Sequence, residues 1–228
     1  MKPALILLHG GLGDAKLMTP LSEHLNDAYQ VICPDFPGHG SNSNVAVIFS
    51  IDHFTDFLQQ IILDHDLHRP IVFGYSMGGY VALNHVLKYP GRLGKVVTYG
   101  TKFRWNPDEA TLQSQYLKPQ KMEEKVPHFV QLLQNRHGDQ WQQVVLRTAD
   151  LINELGQEPP LTPRTVQRID IPTYILLGNE DKIVTIEESE RLVACIPDAT
   201  FRHIKGLHHE IEKVDPAILA SHLKNCLS

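Results

Sequence analysis

Short apolar runs alternate with amphipathic segments along most of this chain. Six of the runs have the length of a β-strand, and they span residues 4–8, 30–33, 71–73, 95–99, 173–177 and 200–204. The segments between them carry helix signals, such as the apolar face formed by Phe54, Leu58 and Ile62. Strands that alternate with helices predict βαβ units, because the crossover between parallel strands is usually a helix. We therefore predict an α/β protein whose mostly parallel sheet has about six strands and is flanked by helices.

Capping residues mark the starts of several of these helices. A helix is predicted to begin near Ser50, and Thr185 with Glu188 forms the pattern of a capping box. Thr19 and Asp215 are each a potential cap followed by proline, which suits the first turn of a helix. These signals lie between the predicted strands, as an α/β fold requires.

One segment between predicted strands is too long for a simple crossover. Residues 101–168 are rich in helix formers, and Asn106-Pro107 offers a cap followed by proline. Apolar residues then recur at helical spacing at Phe129, Leu132 and Leu133, and again at Trp141, Val145, Ala149 and Ile152. We predict that residues 101–168 form a helical cap insertion of three or four helices. Residues 1–100 and 169–228 then form the α/β core.

The first apolar run leads directly into His9-Gly10-Gly11 without a small-residue cleavage site. We therefore predict that residues 4–8 form the first strand rather than part of a secretory leader. No stretch approaches the roughly 20 apolar residues that are needed to cross a bilayer.

Composition narrows the classes of partner. The chain has 228 residues and 42% hydrophobic content, which fits one substantial domain. Its formal net charge of −5 provides no basic face for a nucleic-acid backbone. The three cysteines are widely spaced and lack a C-x-x-C pattern, which predicts neither a disulfide framework nor a zinc site. We expect a cytoplasmic protein that acts on a small molecule, with no metal, cofactor, nucleic-acid or membrane partner.

The strongest chemical signal is a G-x-S-x-G pattern centred on Ser76. It follows the apolar run 71–73 and precedes an apolar helical stretch, so a sharp strand-to-helix turn is predicted there. Glycine at positions 74 and 78 permits the close backbone approach that such a turn requires. The Ser76 hydroxyl would then stand exposed at a helix N-terminus, where it could attack a carbonyl carbon.

A serine nucleophile needs a base and an acid that orients the base. The fifth predicted strand runs into Glu180-Asp181, and the sixth runs into His208-His209. Both pairs therefore lie at the carboxyl edge of the sheet, where open α/β sheets bind ligands. Asp181 is the preferred acid, with Glu180 as a rival, and the base is one of the two histidines. His137, in the insertion, is expected to face water.

The oxyanion formed during attack needs two backbone N–H donors. One is predicted to be that of Met77, directly after the nucleophile. The other is predicted to come from the glycine-rich loop after the first strand, with Gly11 preferred and Leu12 as the alternative. A dinucleotide-binding loop is disfavoured here because the full G-x-G-x-x-G pattern is absent.

Together these motifs resemble those of the α/β-hydrolase fold over essentially the whole chain. The matching segments are residues 9–13, 35–41, 74–79, 178–181 and 206–209. The resemblance implies that the G-x-x-H pattern beginning at Gly206 places the base at His209. It also implies that residues 35–41 form a structural turn without a chemical role. The chain begins at the His-Gly strand, without two preceding antiparallel strands, so a six-stranded parallel version of the sheet is expected.

Within that fold, the chain is similar to small capped esterases and lactonases, such as valacyclovir hydrolase, enol-lactonase and the pimeloyl-carrier methyl esterase. The resemblance implies a cofactor-independent serine hydrolase that cleaves a small ester through Ser76, His209 and Asp181. Phe103 and Trp105 are the candidate substrate contacts. The alternatives are a C–C hydrolase or lyase similar to the menaquinone-pathway synthase, and a ligand-binding protein with low turnover. The oligomeric state is left open.

Overall fold

The computed structural model describes residues 2–43 and 47–227. Six strands form one sheet in the order β2-β1-β3-β4-β5-β6, and every neighbouring pair is parallel. The strands are β1 (Ala4–Leu8), β2 (Gln30–Ile32), β3 (Ile71–Tyr75), β4 (Lys95–Tyr99), β5 (Thr173–Glu180) and β6 (Ala199–His208). The predicted α/β fold with a six-stranded parallel sheet is confirmed. β5 and β6 extend three and four residues beyond their predicted carboxyl ends, 177 and 204.

Helices lie between the strands in the predicted alternation. They are α1 (Thr19–Glu23), α2 (Ile51–Asp64), α3 (Met77–Lys88), α4 (Pro107–Ser114), α5 (Pro119–Lys125), α6 (Pro127–His137), α7 (Trp141–Gln157), α8 (Ile186–Val193) and α9 (Pro216–Leu227). The Ser50 cap and the Thr185–Glu188 capping box are both formed. Thr19, in contrast, is the first residue of α1 rather than its cap, because a short 3₁₀ turn capped by Asp14 leads directly into that helix.

Side chains of the sheet alternate between two apolar layers, as the pleat of a strand dictates. Ile6 and Leu8 of β1 pack in the layer that contains α2, α3 and α8. Leu5 and Leu7 of the same strand pack in the opposite layer, with α1 and α9. The sheet is therefore covered on both faces, as the near-continuous apolar runs of its strands require.

The helices α4 to α7 occupy the long segment between β4 and β5. Leu133, Val144 and Leu155 from these helices belong to the same buried apolar cluster as Ile6 and Leu8 of the sheet. Trp141 is also buried in this cluster. The insertion therefore packs on the α2/α3 side of the sheet and shares its core.

All six strands end at one edge of the sheet, and the residues that follow five of them are informative. β1 is followed by His9, β3 by Ser76, β4 by Gly100, β5 by Asp181 and β6 by His209. Because parallel strands present their carboxyl ends at a common edge, the topology alone brings these five positions together. This edge is where the candidate site lies.

Candidate active site

Ser76 occupies a strained turn between β3 and α3. Its backbone angles are φ 50° and ψ −114°, in a region that side chains other than glycine rarely adopt. Its N–H donates to the Tyr99 carbonyl at 2.8 Å, and its own carbonyl accepts a 2.9 Å hydrogen bond from the Thr101 hydroxyl. The backbone groups of Ser76 are therefore held by the last residue of β4 and by the segment that follows it, which stabilises the strained conformation.

The glycines on either side of this turn are required by close backbone contact. A Cβ atom added at Gly74 would lie 2.3 Å from the Gly79 nitrogen, and one added at Gly78 would lie 2.6 Å from the Leu8 carbonyl oxygen. Both contacts are shorter than any side chain tolerates and involve backbone that cannot move aside. The G-x-S-x-G pattern therefore has the physical basis that the sequence suggested.

Asp181 and His209 form a buried hydrogen-bonded pair. His209 Nδ1 lies 2.8 Å from Asp181 Oδ2. The other carboxylate oxygen, Oδ1, accepts hydrogen bonds from the backbone nitrogens of Ile183 at 2.8 Å and Val184 at 2.9 Å. Three donors thus fix the carboxylate, whose side chain is 1% exposed. With Nδ1 donating to the carboxylate, the neutral imidazole leaves Nε2 as a proton acceptor.

An irregular register between β5 and β6 selects which histidine reaches Asp181. Gly178 pairs with Ile204 and Glu180 pairs with His208, so one residue of β5 lies opposite three of β6. The extra residues are accommodated at Gly206, which has φ 80°. Beyond the Glu180–His208 pair, the next residues of the two strands are Asp181 and His209. These two side chains meet, while the His208 carbonyl accepts a hydrogen bond from the Tyr99 hydroxyl.

His9, the first residue after β1, fixes the loop that follows this strand. The buried His9 ring accepts a hydrogen bond from the Phe36 nitrogen at Nε2, so its Nδ1–H donates to the Gly10 carbonyl, 2.8 Å away. Gly11 and Leu12 of this loop line the same cavity as Ser76. Met77, the other predicted oxyanion donor, lines it as well. The structure therefore gathers both candidate loop residues beside the serine.

This cavity has a volume of about 180 Å³ and also contains the His209 side chain in its wall. Most of its wall comes from the insertion and from α3. The remaining lining residues are Ile51, Tyr80, Lys102, Trp105, Gln113, Leu117, Thr148, Leu151, Ile152, Leu155 and Ile183. The mixture of a largely apolar wall with a few polar groups is typical of a small-molecule site.

The two predicted substrate contacts differ in position. Trp105 lines the cavity that contains Ser76. Phe103 does not belong to the lining: it is buried, its ring lies 6.5 Å from the Tyr80 ring, and its nitrogen donates to Glu188. The Glu188 carboxylate accepts hydrogen bonds from the backbone nitrogens of both Phe103 and Arg104, and so holds this segment against the core. Phe103 therefore supports the wall from behind.

Lys102 is a cation in the cavity wall that sequence reasoning missed. Its side chain is almost completely buried, and Nζ lies 3.1 Å from the Glu109 carboxylate and 3.3 Å from that of Glu188. Glu109 belongs to α4 and Glu188 to α8, so the lysine links the insertion to the core. Two carboxylates offset the cost of burying the ammonium group. The sequence signalled Glu188 only as part of a capping box.

Buried histidines surround the loop after β1. The expectation that His137 faces water is wrong, because its side chain is 2% exposed and hydrogen-bonded at both ring nitrogens. Burial lowers the pKa of His137 below its ordinary value, and lowers that of His39 well below it. The His39 ring lies between the rings of His9 and His137, at centroid distances of 5.2 Å from His9 and 5.9 Å from His137. These rings are therefore neutral at pH 7.

We expect the free energy of unfolding to fall as the pH is lowered from 7 to 5. Burial lowers the pKa of His9 and of His85 to about 4, from an ordinary value of 6.5. Between these values the unfolded chain binds more protons than the folded protein, so stability that is present above pH 6.5 is lost toward pH 4. Linkage gives about 2 kcal/mol for each of these histidines at pH 5.

Urea unfolding of the wild type and of His85→Gln at pH 7 and pH 5 checks this prediction. His85 lies on α3, where its Nε2 contacts Gln59 outside the cavity lining, so the variant removes one titrating group without touching the site. The variant should lose about 2 kcal/mol less than the wild type between the two pH values. An identical loss of unfolding free energy in both proteins would show that titration of His85 does not contribute to the pH dependence.

Within residues 2–43 and 47–227, no group of three or more His, Cys, Asp or Glu side chains is arranged to hold a metal ion. In the same part of the chain, no helix combines the length and apolarity that a bilayer span requires.

The sequence model of the family described as "alpha/beta hydrolase fold" matches residues 3–155. The chain is 28% identical to the 2-hydroxy-6-oxononadienedioate/2-hydroxy-6-oxononatrienedioate hydrolase of Paraburkholderia phymatum, over 90% of this chain and 80% of that protein. It is 27% identical to the 2-succinyl-6-hydroxy-2,4-cyclohexadiene-1-carboxylate synthase of Yersinia pestis, over 83% and 77%. A thermophilic esterase from Thermogutta terrifontis shares the fold, with a TM-score of 0.81 and 21% identity over 100% of this chain and 90% of that one.

Proposed function

Because the chain belongs to the alpha/beta hydrolase fold family, we propose that it is a serine hydrolase that cleaves a small carboxylic ester or related acyl substrate. The observation that carries the proposal is the hydrogen-bonded Asp181–His209 pair, whose histidine lines the same cavity as Ser76 on its strained turn. A nucleophile, a base and an orienting acid are thus gathered at one edge of the sheet.

In the proposed reaction, His209 Nε2 takes the proton of the Ser76 hydroxyl as Oγ bonds to the substrate carbonyl carbon. The carbonyl oxygen becomes an oxyanion, which accepts hydrogen bonds from the backbone N–H groups of Met77 and Gly11, or of Leu12 in place of Gly11. Collapse of this intermediate breaks the bond to the leaving group, which receives the proton from His209. Asp181 orients the ring and stabilises the imidazolium.

Water then completes the cycle by the same route in reverse. His209 removes a proton from water, the resulting oxygen bonds to the acyl carbon, and Ser76 leaves with that proton as the free acid is released. The atoms and protons of the two half-reactions balance with the substrate, water and the side chains of this protein alone. The wall of the cavity is largely apolar, which suits the binding of an acyl chain.

A second candidate is cleavage of a carbon–carbon bond, as in a C–C hydrolase, or an elimination reaction, as in a lyase. It is favoured by the names of two relatives, one a hydrolase of 2-hydroxy-6-oxo dioates and the other a synthase of a cyclohexadiene carboxylate. The same three side chains could serve either chemistry, because function lies in the shape of the pocket rather than in the fold.

A substrate panel separates the two candidates. Purified protein is offered short and long acyl esters, thioesters, lactones and a vinylogous 1,5-diketone, with product release followed spectroscopically. The proposed function predicts that kcat/KM for at least one acyl ester exceeds that for the diketone. Turnover of the diketone alone would transfer the assignment to carbon–carbon bond cleavage.

Trp105 is predicted to set preference for the acyl chain. Its ring lines the cavity and lies under Lys102 Nζ at 5.7 Å, so Trp105→Ala enlarges the pocket beside the substrate. We expect the ratio of kcat/KM for a short ester to that for a longer ester to change about tenfold, or about 1.4 kcal/mol. Steady-state kinetics on a homologous ester series measures this ratio.

Trp141→Ala is the matched control for that experiment. Trp141 is the other tryptophan of the insertion; it is buried, but it is not among the residues that line the cavity. Its replacement should lower the melting temperature and leave the ratio nearly unchanged. Equal ratios in the wild type and Trp105→Ala would show that the acyl chain lies against another part of the wall.

A further inference from the structure

We propose that His137 is a positioning residue that orients the oxyanion loop, defined as residues 10–13, from the insertion. The inference rests on the proposed function, because the loop matters for the reaction only if it supplies an N–H to the oxyanion. It assigns a role to a side chain that makes no contact with Ser76, Asp181 or His209 among the described hydrogen bonds.

The hydrogen bonds of His137 fix its tautomer. The backbone nitrogen of Gly40 lies 3.0 Å from Nδ1, and because a backbone N–H can only donate, Nδ1 is the acceptor. In the neutral ring the proton is therefore on Nε2, which donates to the Leu12 carbonyl at 3.0 Å. One ring thus joins the end of α6 to the turn after β2 and to the oxyanion loop.

The Leu12 carbonyl is connected to the Gly11 N–H through two rigid peptide groups. The Leu12 carbonyl and the Gly13 N–H belong to one planar peptide, so fixing the first fixes the second. Gly13 N–H donates to the Gly10 carbonyl at 3.1 Å. That carbonyl belongs to the same planar peptide as the Gly11 N–H and points the opposite way. His137 therefore acts on the Gly11 donor through a hydrogen bond between two peptide planes.

Leu12 needs such support because its backbone is strained. It has φ 62°, in the left-handed region that disfavours residues with a Cβ atom. Its neighbours on either side are glycines, which provide little restraint of their own. Without a donor on its carbonyl, the Leu12–Gly13 peptide could rotate to relieve the strain, and the Gly13–Gly10 hydrogen bond would be lost with it.

Arg136, the preceding residue of α6, adds a weaker contact to the same carbonyl. Its Nη1 lies 3.4 Å from the Leu12 oxygen, and its Nη2 is paired with Glu212, three residues after His209. The carboxyl end of α6 is thus attached to the loop after β1 and to the segment after β6. The insertion therefore supports the oxyanion loop as well as forming the cavity wall.

The test compares His137→Leu with His137→Gln in the full chain. Leucine keeps apolar bulk and removes both hydrogen bonds, whereas the glutamine amide can place a donor near the position of Nε2. We expect His137→Leu to lower kcat for an acyl ester by about 10- to 100-fold with KM changed less than threefold, since loss of a complete oxyanion donor costs about 10²- to 10³-fold. His137→Gln should recover at least half of that loss on a logarithmic scale.

A second readout distinguishes orientation of the loop from general damage to the fold. A boronic acid or trifluoromethyl ketone forms a tetrahedral adduct with a reactive serine, so its affinity should fall by the same factor as kcat. His85→Leu is the matched control, because it also removes a buried, hydrogen-bonded histidine but lies outside the cavity lining. It should lower the melting temperature and leave kcat and the inhibitor affinity unchanged.

The outcomes separate this inference from the proposed function. A folded His137→Leu protein with kcat within twofold of the wild type overturns the inference alone. If that variant does not fold, His137→Met, which also removes both hydrogen bonds, decides in its place: a kcat reduced about threefold or more supports the inference, and a smaller reduction overturns it. A wild-type protein that neither reacts with a fluorophosphonate nor turns over any acyl ester overturns the proposed function and the inference with it.

Discussion

Ser76→Ala should reduce turnover of the best acyl ester by about 10⁴-fold or more, and should abolish labelling by a fluorophosphonate probe. Removing Oγ removes the atom that forms the covalent intermediate, and a triad that loses its nucleophile retains only binding and oxyanion stabilisation. The backbone of the turn should persist, because the Ser76 N–H and carbonyl keep their partners on Tyr99 and Thr101. Mass spectrometry of the labelled protein locates the adduct.

Ser189→Ala provides the matched control for this experiment. Ser189 is a buried serine of α8 whose hydroxyl donates to the Thr185 carbonyl, and it does not line the cavity. Its replacement should preserve both labelling and turnover. Labelling that persists in Ser76→Ala would show that the nucleophile lies elsewhere, and an unchanged melting temperature would exclude unfolding as the cause of lost activity.

The two adjacent histidines should differ by orders of magnitude. His209→Ala is expected to lower kcat by about 10³-fold or more, since it removes the proposed base and leaves Asp181 without its partner. His208→Ala should keep kcat within about tenfold of the wild type. The position of His208 is held by backbone contacts, including the hydrogen bond that its carbonyl accepts from Tyr99.

Stopped-flow or steady-state kinetics on both variants, with the melting temperature measured in parallel, gives the comparison. The adjacent positions make each variant the control for the other, because both lie at the end of the same strand. A larger loss in His208→Ala than in His209→Ala would move the proposed base to His208. It would also mean that the Asp181–His209 pair is structural.

The sequence by itself determined the α/β class, the six strands and the edge at which chemistry-bearing residues gather. Strand runs such as 4–8 and 71–73 are apolar throughout because both faces of a parallel sheet are buried, so they can be recognised without a structure. The turn at Ser76 could also be predicted from the sequence. Gly74 and Gly78 are required there because backbone atoms of the same turn and of the neighbouring strand β1 lie too close for a Cβ atom. Capping residues could likewise be predicted from local sequence. Thr19 is the exception, because a 3₁₀ turn leads directly into α1 and makes Thr19 its first residue instead of its cap.

Only the tertiary structure decided how positions distant in sequence combine. Which of His208 and His209 pairs with Asp181 depends on two extra residues accommodated in β6 opposite β5, a feature that the sequence does not reveal. The burial of His137 depends on where the end of α6 meets Leu12 and Gly40, 125 and 97 residues away. Phe103 lies behind the cavity wall and Trp105 in it because the Glu188 carboxylate fixes the segment between them. Periodicity records which residues are buried, but it carries no information about which buried polar groups become partners, because such pairing is set by long-range packing.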